Sequence, residues 1–183
     1  MDHTLIIGLG NPDPALANTY HNVGVLAVQW LAEHAADNGE SAVINGGAPK
    51  FRAHKGLFTY AKIGDTTFIR PLVYMNESGR AVYDAMHAFG AAAKDIVIIH
   101  DDSDIAVGDF KYAKSGRSAG HNGIRSIIDH LHTEDFARIR IGIREPNETH
   151  RKKAGDFVLS PIVPADKKTF EEVFKKIAEL LPR

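Results

Sequence analysis

The chain contains no cysteine, which excludes a disulfide framework, a thiolate nucleophile and any zinc site built on cysteine sulfur. Long hydrophobic runs are missing too. The apolar stretch near the start, Thr4-Leu-Ile-Ile-Gly-Leu9, is too short and wrongly flanked for a signal peptide or a membrane span. Repeats, low-complexity tracts and a recognisable interdomain linker are also lacking. What is present is ordinary globular composition: 183 residues, 44% hydrophobic and 25% charged, enough to bury a real core. These features predict one domain over residues 1–183, in the cytoplasm, with any catalysis left to groups other than thiols.

The net charge of −1 conceals an uneven distribution. Residues 1–109 carry 13 acidic against 7 basic side chains, whereas residues 110–153 carry 5 against 10, including Lys111, Lys114, Arg117, Arg125, Arg138 and Arg140. A local basic face that suits a polyanionic partner is one reading, and ordinary solvated surface charge is the other.

Periodicity outlines the elements. Residues 4–9 read as a buried strand running into a turn at Asn11-Pro12, and a polar loop continues to Asn22. Val25, Leu26, Val28, Leu31 and Ala32 recur at helical spacing from Gly24 to about Ala36, with Gly39 as the stop. Residues 41–50 are small and glycine-rich and read as an exposed loop. Leu57–Ile63 and Thr67–Val73 flank Gly64-Asp65 as a hairpin, with Pro71 near a strand end. A helix is expected over Ser78–Phe89 with Gly90 as its stop, followed by a strand over Asp95–His100 buried on both faces. That strand is predicted to end at His100-Asp101-Asp102. A short strand at Phe110–Ala113, a polar flexible stretch from Lys114 and a short helix over Gly123–Leu131 come next. Ala137–Ile143 alternates as a strand with arginines on one side and isoleucines on the other. The chain closes with an extended piece over Asp156–Ser160 and an amphipathic helix over Pro164–Leu181, whose inner stripe is Phe170, Val173, Phe174, Ile177 and Leu180. Alternating strands and helices imply an α/β sandwich with a twisted, mixed, mainly parallel sheet flanked by helices. In such folds ligands bind beyond the carboxyl ends of the strands, where Asn11 and Asp101 fall.

Gly8-Leu-Gly10 after a strand invites a dinucleotide reading, but the third glycine position is Asp13, and Pro12 removes an amide donor. His21 in its polar loop and Asp101 at a strand end are a candidate base and orienting carboxylate, since a carboxylate fixes an imidazole's tautomer and stabilises its protonated form. Ser78, Ser103, Ser115 and Ser118 lie in no nucleophile-elbow context, so water is the remaining nucleophile. Neutral donors for a developing negative charge are available in Asn11, Asn76 and Asn122, each beside glycine or proline turn chemistry that would also explain an asparagine. His100, Asp101, Asp102, Asp104 and His121 offer a metal-donor set without a recognised ligand spacing. No cofactor and no metal are expected.

Gly8-Leu-Gly-Asn-Pro12 with His21-Asn-Val-Gly24, Tyr74-Met-Asn-Glu-Ser-Gly79, His100-Asp-Asp-Ser-Asp104 with Gly108, and Gly120-His-Asn-Gly-Ile-Arg-Ser126 occur in this order, followed by Phe136–Ile143 and Phe157-Val-Leu159. Along nearly its whole length the chain thereby resembles the bacterial-type peptidyl-tRNA hydrolases. The resemblance implies hydrolysis of the ester between peptide and tRNA by a monomer that needs no obligate protein partner and no membrane. It implies His21 as general base, Asp101 as its partner, and Asn122 as the group that positions the water or stabilises the oxyanion. Asn11, Met75, Asn76, Tyr74 and Asn22 would bind the peptide part of the substrate, and Lys111, Lys114, Arg125 and Arg140 the tRNA.

The chain departs from the family pattern at Asp13, Leu16 and Tyr20, where glycine, tyrosine and arginine are usual, and over Ser115-Gly-Arg-Ser118, where a Gly-Gly-Gly-His segment is usual. A family lysine position corresponds to Ala113, with Arg117 a candidate substitute. An RNA-binding relative of the same fold, in which hydrolysis is dispensable, is the alternative. Retention of His21, Asp101, Asn11, Asn76 and Asn122 favours the enzyme, because RNA binding alone needs no base, orienter and neutral donors together.

Overall fold

A computed structural model describes residues 3–37, 49–145 and 154–181. The chain builds one seven-stranded sheet in the order β2-β3-β4-β1-β5-β7-β6. Its strands are β1 (Thr4–Gly8), β2 (Arg52–His54), β3 (Phe58–Ile63), β4 (Thr66–Pro71), β5 (Ile96–Ala106), β6 (Phe110–Ala113) and β7 (Ala137–Arg144). The four central strands, β4, β1, β5 and β7, run parallel, and the outer pairings β2/β3, β3/β4 and β6/β7 are antiparallel. The expected mixed α/β sheet is therefore present.

Helices cover both faces, as parallel strands buried on two sides require. On one face α1 (Val23–Asp37) and α5 (Pro164–Leu180) pack over Ile6, Phe68, Ile99, Ile139 and Ile141. On the other, α2 (Ser78–Phe89) and α3 (Asn122–Leu131) pack over Leu5, Ile7, Ile69, Ile96 and Ile98. The hairpin turns at Gly64, α2 stops at Gly90 in the left-handed region (φ 66°), and Pro71 ends β4, all as read from the sequence. No helix among the described residues is long and apolar enough to cross a membrane.

The Gly8-Leu-Gly10 turn serves packing. A Cβ on Gly8 would lie 2.1 Å from the carbonyl oxygen of Gly24, and one on Gly24 would lie 2.3 Å from that of Ile99. Absent side chains let α1 start directly against the ends of β1 and β5. Pro12 and Asp13 lead into a single 3₁₀ turn (Pro14–Leu16), with Asp13 Oδ1 accepting from Ala15 N, and α1 begins only at Val23.

Four expectations need correction or supplement. β5 does not end at the acidic block but continues to Ala106, because β7 goes on pairing with it (Asp101 with Ile141, Asp102 with Gly142) after β1 has stopped opposite Ile99. Asp156–Ser160 is not extended. Ala154–Phe157 forms one helical turn, α4, and the chain then bends, its carbonyls spent on backbone amides of residues 20 and 21 rather than on a sheet. Leu180 lies outside the α5 stripe and is 50% exposed beside a shallow recess formed with Leu181, Lys94 and Tyr112, whereas Phe170, Val173, Phe174 and Ile177 are buried. The three-residue strand β2 carries no alternation and escaped the sequence reading. Most of the loop expected at 41–50, and the Gly39 stop, lie outside the described residues.

Candidate functional site

The carboxyl ends of β1 and β5 set the site. β1 delivers Leu9-Gly10-Asn11, and β5, open on its β1 side beyond Ile99, presents Asp101. Across from it, a 3₁₀ turn (Tyr20–Asn22) leads into α1 and carries His21. His21 Nδ1 lies 2.8 Å from Asp101 Oδ1. His121, immediately before α3, approaches the same oxygen with Nε2 at 2.9 Å. Its other nitrogen, Nδ1, accepts from Gly123 N and Ile124 N at 3.1 and 3.3 Å, so the imidazole caps α3. That cap places the proton on Nε2, and His121 therefore donates to Asp101.

Asp101 is 4% exposed. Burial by itself would push its carboxyl up, but the His121 and His21 imidazoles outweigh it and hold the group well below the usual carboxylate range. His100, beside Asp101 on β5, lines the same cavity; its Nδ1 donates to the Asp101 backbone oxygen at 2.7 Å and its ring meets His121 edge-on at 4.6 Å. Burial, with His121 adding to it, pushes His100 well below the ordinary imidazole range, so it is neutral. Its Nε2 has no hydrogen-bond partner among the described residues.

A second lattice of hydrogen bonds secures the asparagines. Asn11 N donates to Asn22 Oδ1 (2.8 Å), Asn22 Nδ2 donates to the Asn11 oxygen (2.9 Å), and Asn11 Oδ1 accepts from Met75 N (2.9 Å). Asn22 is buried with both its polar atoms engaged, so it builds the loop that presents Asn11. Met75 is buried, and a Cβ on Gly123 would stand 2.6 Å from its sulfur, which ties the 3₁₀ turn at Met75–Glu77 to the start of α3. Tyr74 and Asn76 flank it and are exposed.

A cavity of about 460 Å³ opens over the centre, lined by His21, Asp101, His121, Asn122, Arg138 and Arg140 among others. Asn122, the first residue of α3, is exposed to it. Asn11, Tyr74, Met75 and Asn76 do not line that cavity; the loop lattice places them beside it. The arginine side of β7 is less open than its alternation suggests. Arg138 is buried, lies over the Phe136 ring and donates to the Arg117 carbonyl at 2.8 Å, and Arg140 Nε donates to Asp102 Oδ2 at 2.6 Å. Lys111, Lys114 and Arg125 are exposed, with Lys111 directly across from Arg140 on the β6/β7 pair.

The donor atoms of His21, Asp101 and His121 lie within 4.8 Å of one another, a spacing a metal could span. The protonation pattern opposes this, because coordination would need the Nε2 lone pair of His121 while its Nδ1 is committed to accepting from α3. The wider set is not gathered: Asp102 is spent on Arg140 and on the Asp104 amide, and His100 on backbone. Two imidazoles flank one carboxylate, and the His21 ring, whose Nε2 meets no hydrogen-bond partner among the described residues, can hold a water beside the cavity and take its proton. His121 is the site residue that residue-by-residue reading missed as a partner of Asp101. In the sequence it figures only as one of a metal-donor set and within the block at residues 120–126, and its capping role is not foreseen there because histidine is not among the common caps.

The family model described as peptidyl-tRNA hydrolase matches residues 5–183. Peptidyl-tRNA hydrolase of Roseobacter denitrificans is 35% identical over 180 residues, covering 97% of this chain and 72% of the relative. That of Coxiella burnetii is 36% identical over 178 residues, covering 97% and 88%. Among solved structures, peptidyl-tRNA hydrolase from Acinetobacter baumannii superposes with a TM-score of 0.75 at 27% identity, covering 97% of this chain and 86% of that one.

Proposed function

The chain belongs to the peptidyl-tRNA hydrolase family, and from that premise we propose that it hydrolyses the ester between peptide and tRNA with His21 as general base. The observation that carries this reading is the 2.8 Å contact between His21 Nδ1 and the buried Asp101 carboxylate beside the cavity. With Nδ1–H donated to Asp101, Nε2 is the nitrogen left to accept a proton. A water held there attacks the ester carbonyl carbon as its proton passes to Nε2. The imidazolium that forms is stabilised by Asp101, whose depressed titration keeps it ionised at any working pH. The carbonyl electron pair moves onto oxygen, where the Asn122 amide donates to the oxyanion. Collapse breaks the bond to the ribose oxygen, which recovers the proton from Nε2. The peptide leaves as a carboxylic acid that gives its proton to solvent, and the tRNA leaves with a free hydroxyl.

His121 fixes the second approach to Asp101 Oδ1 and so limits the carboxylate to one orientation toward His21. Asn11, Met75, Asn76 and Tyr74, beside the cavity, accommodate the peptide, and Asn22 acts through Asn11. Lys111 lies across from Arg140 on the β6/β7 pair, and although Asp102 already pairs with Arg140, the two cations together offer a place for a tRNA phosphate. Lys114 and Arg125 extend this rim. A peptidyl-tRNA substrate fits the cytoplasm.

The test is release of tRNA from N-acetylated aminoacyl-tRNA and from its unblocked counterpart, each with and without a chelator. Chelator-resistant cleavage of the acetylated substrate alone is the expected result. Binding of tRNA without cleavage would replace this reading with that of an RNA-binding relative.

A further inference from the structure

The loop that holds His21 is gripped from its outer side by the carboxy-terminal segment. His21 N donates to the Val158 oxygen at 2.8 Å, Tyr20 N to Ser160 at 3.3 Å, and Ile162 N to Asn18 at 2.8 Å, while Thr19 forms a bridge with Pro161. Tyr20 is the side chain that enters this seam. It is buried, with its ring edge-on to Phe157 and Phe170 at 6.3 and 6.2 Å, and its hydroxyl donates to Asp166 Oδ2 at 2.6 Å.

The place of that contact matters. α5 begins after Val163, which has no side chain able to cap the helix, and Pro164 occupies its first position. The Tyr20 oxygen takes a backbone hydrogen bond from Val163 and its hydroxyl donates one to Asp166, an acid in the first helical turn where the helix dipole favours negative charge. A residue adjacent in sequence to His21 thus completes the start of a helix 146 positions away. Burial first, and then the Asp166 hydrogen bond, push the phenol up to about 12, so it remains a protonated donor throughout the range in which the protein works. The ring packing alone would keep Tyr20 in the core; the hydroxyl adds a directional tie between the His21 turn and a long helix anchored on the sheet by Phe170, Val173 and Ile177.

We propose that the Tyr20 hydroxyl and Asp166 act together as a positioning pair for His21, holding its turn against α5 so that the imidazole meets Asp101 in one geometry. This rests on the reading of His21 as the base. Neither Tyr20 nor Asp166 touches the cavity, so the pair acts on the rate of the chemical step and not on substrate affinity.

Tyr20→Phe removes the hydroxyl and keeps the ring. Steady-state hydrolysis of N-acetylated aminoacyl-tRNA should show kcat lowered about tenfold with KM changed less than about twofold, since displacement of a catalytic group by a fraction of an ångström penalises the transition state. Asp166→Ala should match it, Asp166→Asn, which keeps an acceptor oxygen, should restore most of kcat, and the double variant Tyr20→Phe/Asp166→Ala should be no slower than either single one. The Asp166 variants lie at a partly exposed helix start and serve should Tyr20→Phe fail to fold. Unchanged kcat in the folded Tyr20→Phe or Asp166→Ala protein, additive losses in the double variant, or no rescue by Asp166→Asn would overturn the proposal. His21→Ala assayed beside them separates the two claims: near-normal turnover there defeats the base assignment itself, whereas its collapse with Tyr20→Phe unaffected defeats only the tether.

Discussion

Two regions around one cavity handle polar groups in opposite ways. Around Asp101, both imidazoles, the carboxylate and the Asn11–Asn22–Met75 lattice are buried or half-buried and tied by hydrogen bonds of 2.7 to 3.3 Å. Along the rim, Lys111, Lys114 and Arg125 are exposed and meet no carboxylate among the described residues. The inner groups cannot reorient without breaking several bonds, which suits stabilisation of a charge that appears at one atom for an instant. The rim cations remain hydrated and mobile, which suits attraction of a polyanion whose phosphates are many and interchangeable. Rate should therefore reside inside, and salt-sensitive affinity outside.

The largest effect that would sharpen this contrast is expected from His21→Ala: kcat lowered by about 10³-fold with tRNA binding nearly intact, as general-base removal implies. Weakened binding of equal size would erase the division between the regions. Asn122→Ala should lower kcat by about 10²-fold through loss of an oxyanion donor; a change confined to KM would place Asn122 with the substrate-holding groups instead.

Acid stability tests the inner region by itself. His100 is neutral in the fold while the unfolded chain protonates its histidine below about pH 6.5, so the unfolded state binds the extra proton and stability falls as pH drops below that value. Asp101 has the opposite chemistry but the same direction: its folded value lies below the unfolded one near 3.9, so its contribution is present above about pH 4 and is lost as pH falls further. Thermal unfolding followed from pH 7 to pH 3 should show two stages of loss, each up to about 1.4 kcal/mol per pH unit. His100→Asn should remove the upper stage and Asp101→Asn the lower, and a profile unaltered by either substitution would show that these groups are not held as described.

The smallest effects belong to the rim. Lys111→Ala and Arg125→Ala should each weaken tRNA binding only a few-fold and reduce the slope of log affinity against log salt by about 0.7 to 0.9. Arg140→Ala should differ from them, because it also leaves Asp102 without its 2.6 Å partner. Salt-independent losses at Lys111 would move that residue out of the phosphate-binding set.

Much of this was legible in the residues. Continuous apolar runs marked β1 and the first half of β5, Gly64 and Gly90 marked a turn and a helix end, and the blocks around His21, Asp101 and Asn122 pointed to residues that the fold brings to one candidate site. Where the reading failed, neighbours decided. β5 runs on through polar residues because β7 keeps pairing with it, and residues 156–160 bend because the His21 turn takes their carbonyls. The arginines of β7 alternate as expected, yet Arg138 is buried beneath the loop that supplies the Arg117 carbonyl. His121 became a second donor to Asp101 only when α3 was laid beside β5.

The sequence by itself determined the alternation of strands and helices, the turn at Gly64 and the helix stop at Gly90, and the types of group available for catalysis. Those follow from local periodicity, from steric freedom at glycine and from the absence of thiols. Only the tertiary structure decided that one carboxylate oxygen serves two imidazoles, that Asn22 supports Asn11, and that Tyr20 reaches Asp166. Hydrogen bonds between residues 80 or 146 positions apart depend on how the sheet orders its strands, which no local pattern encodes.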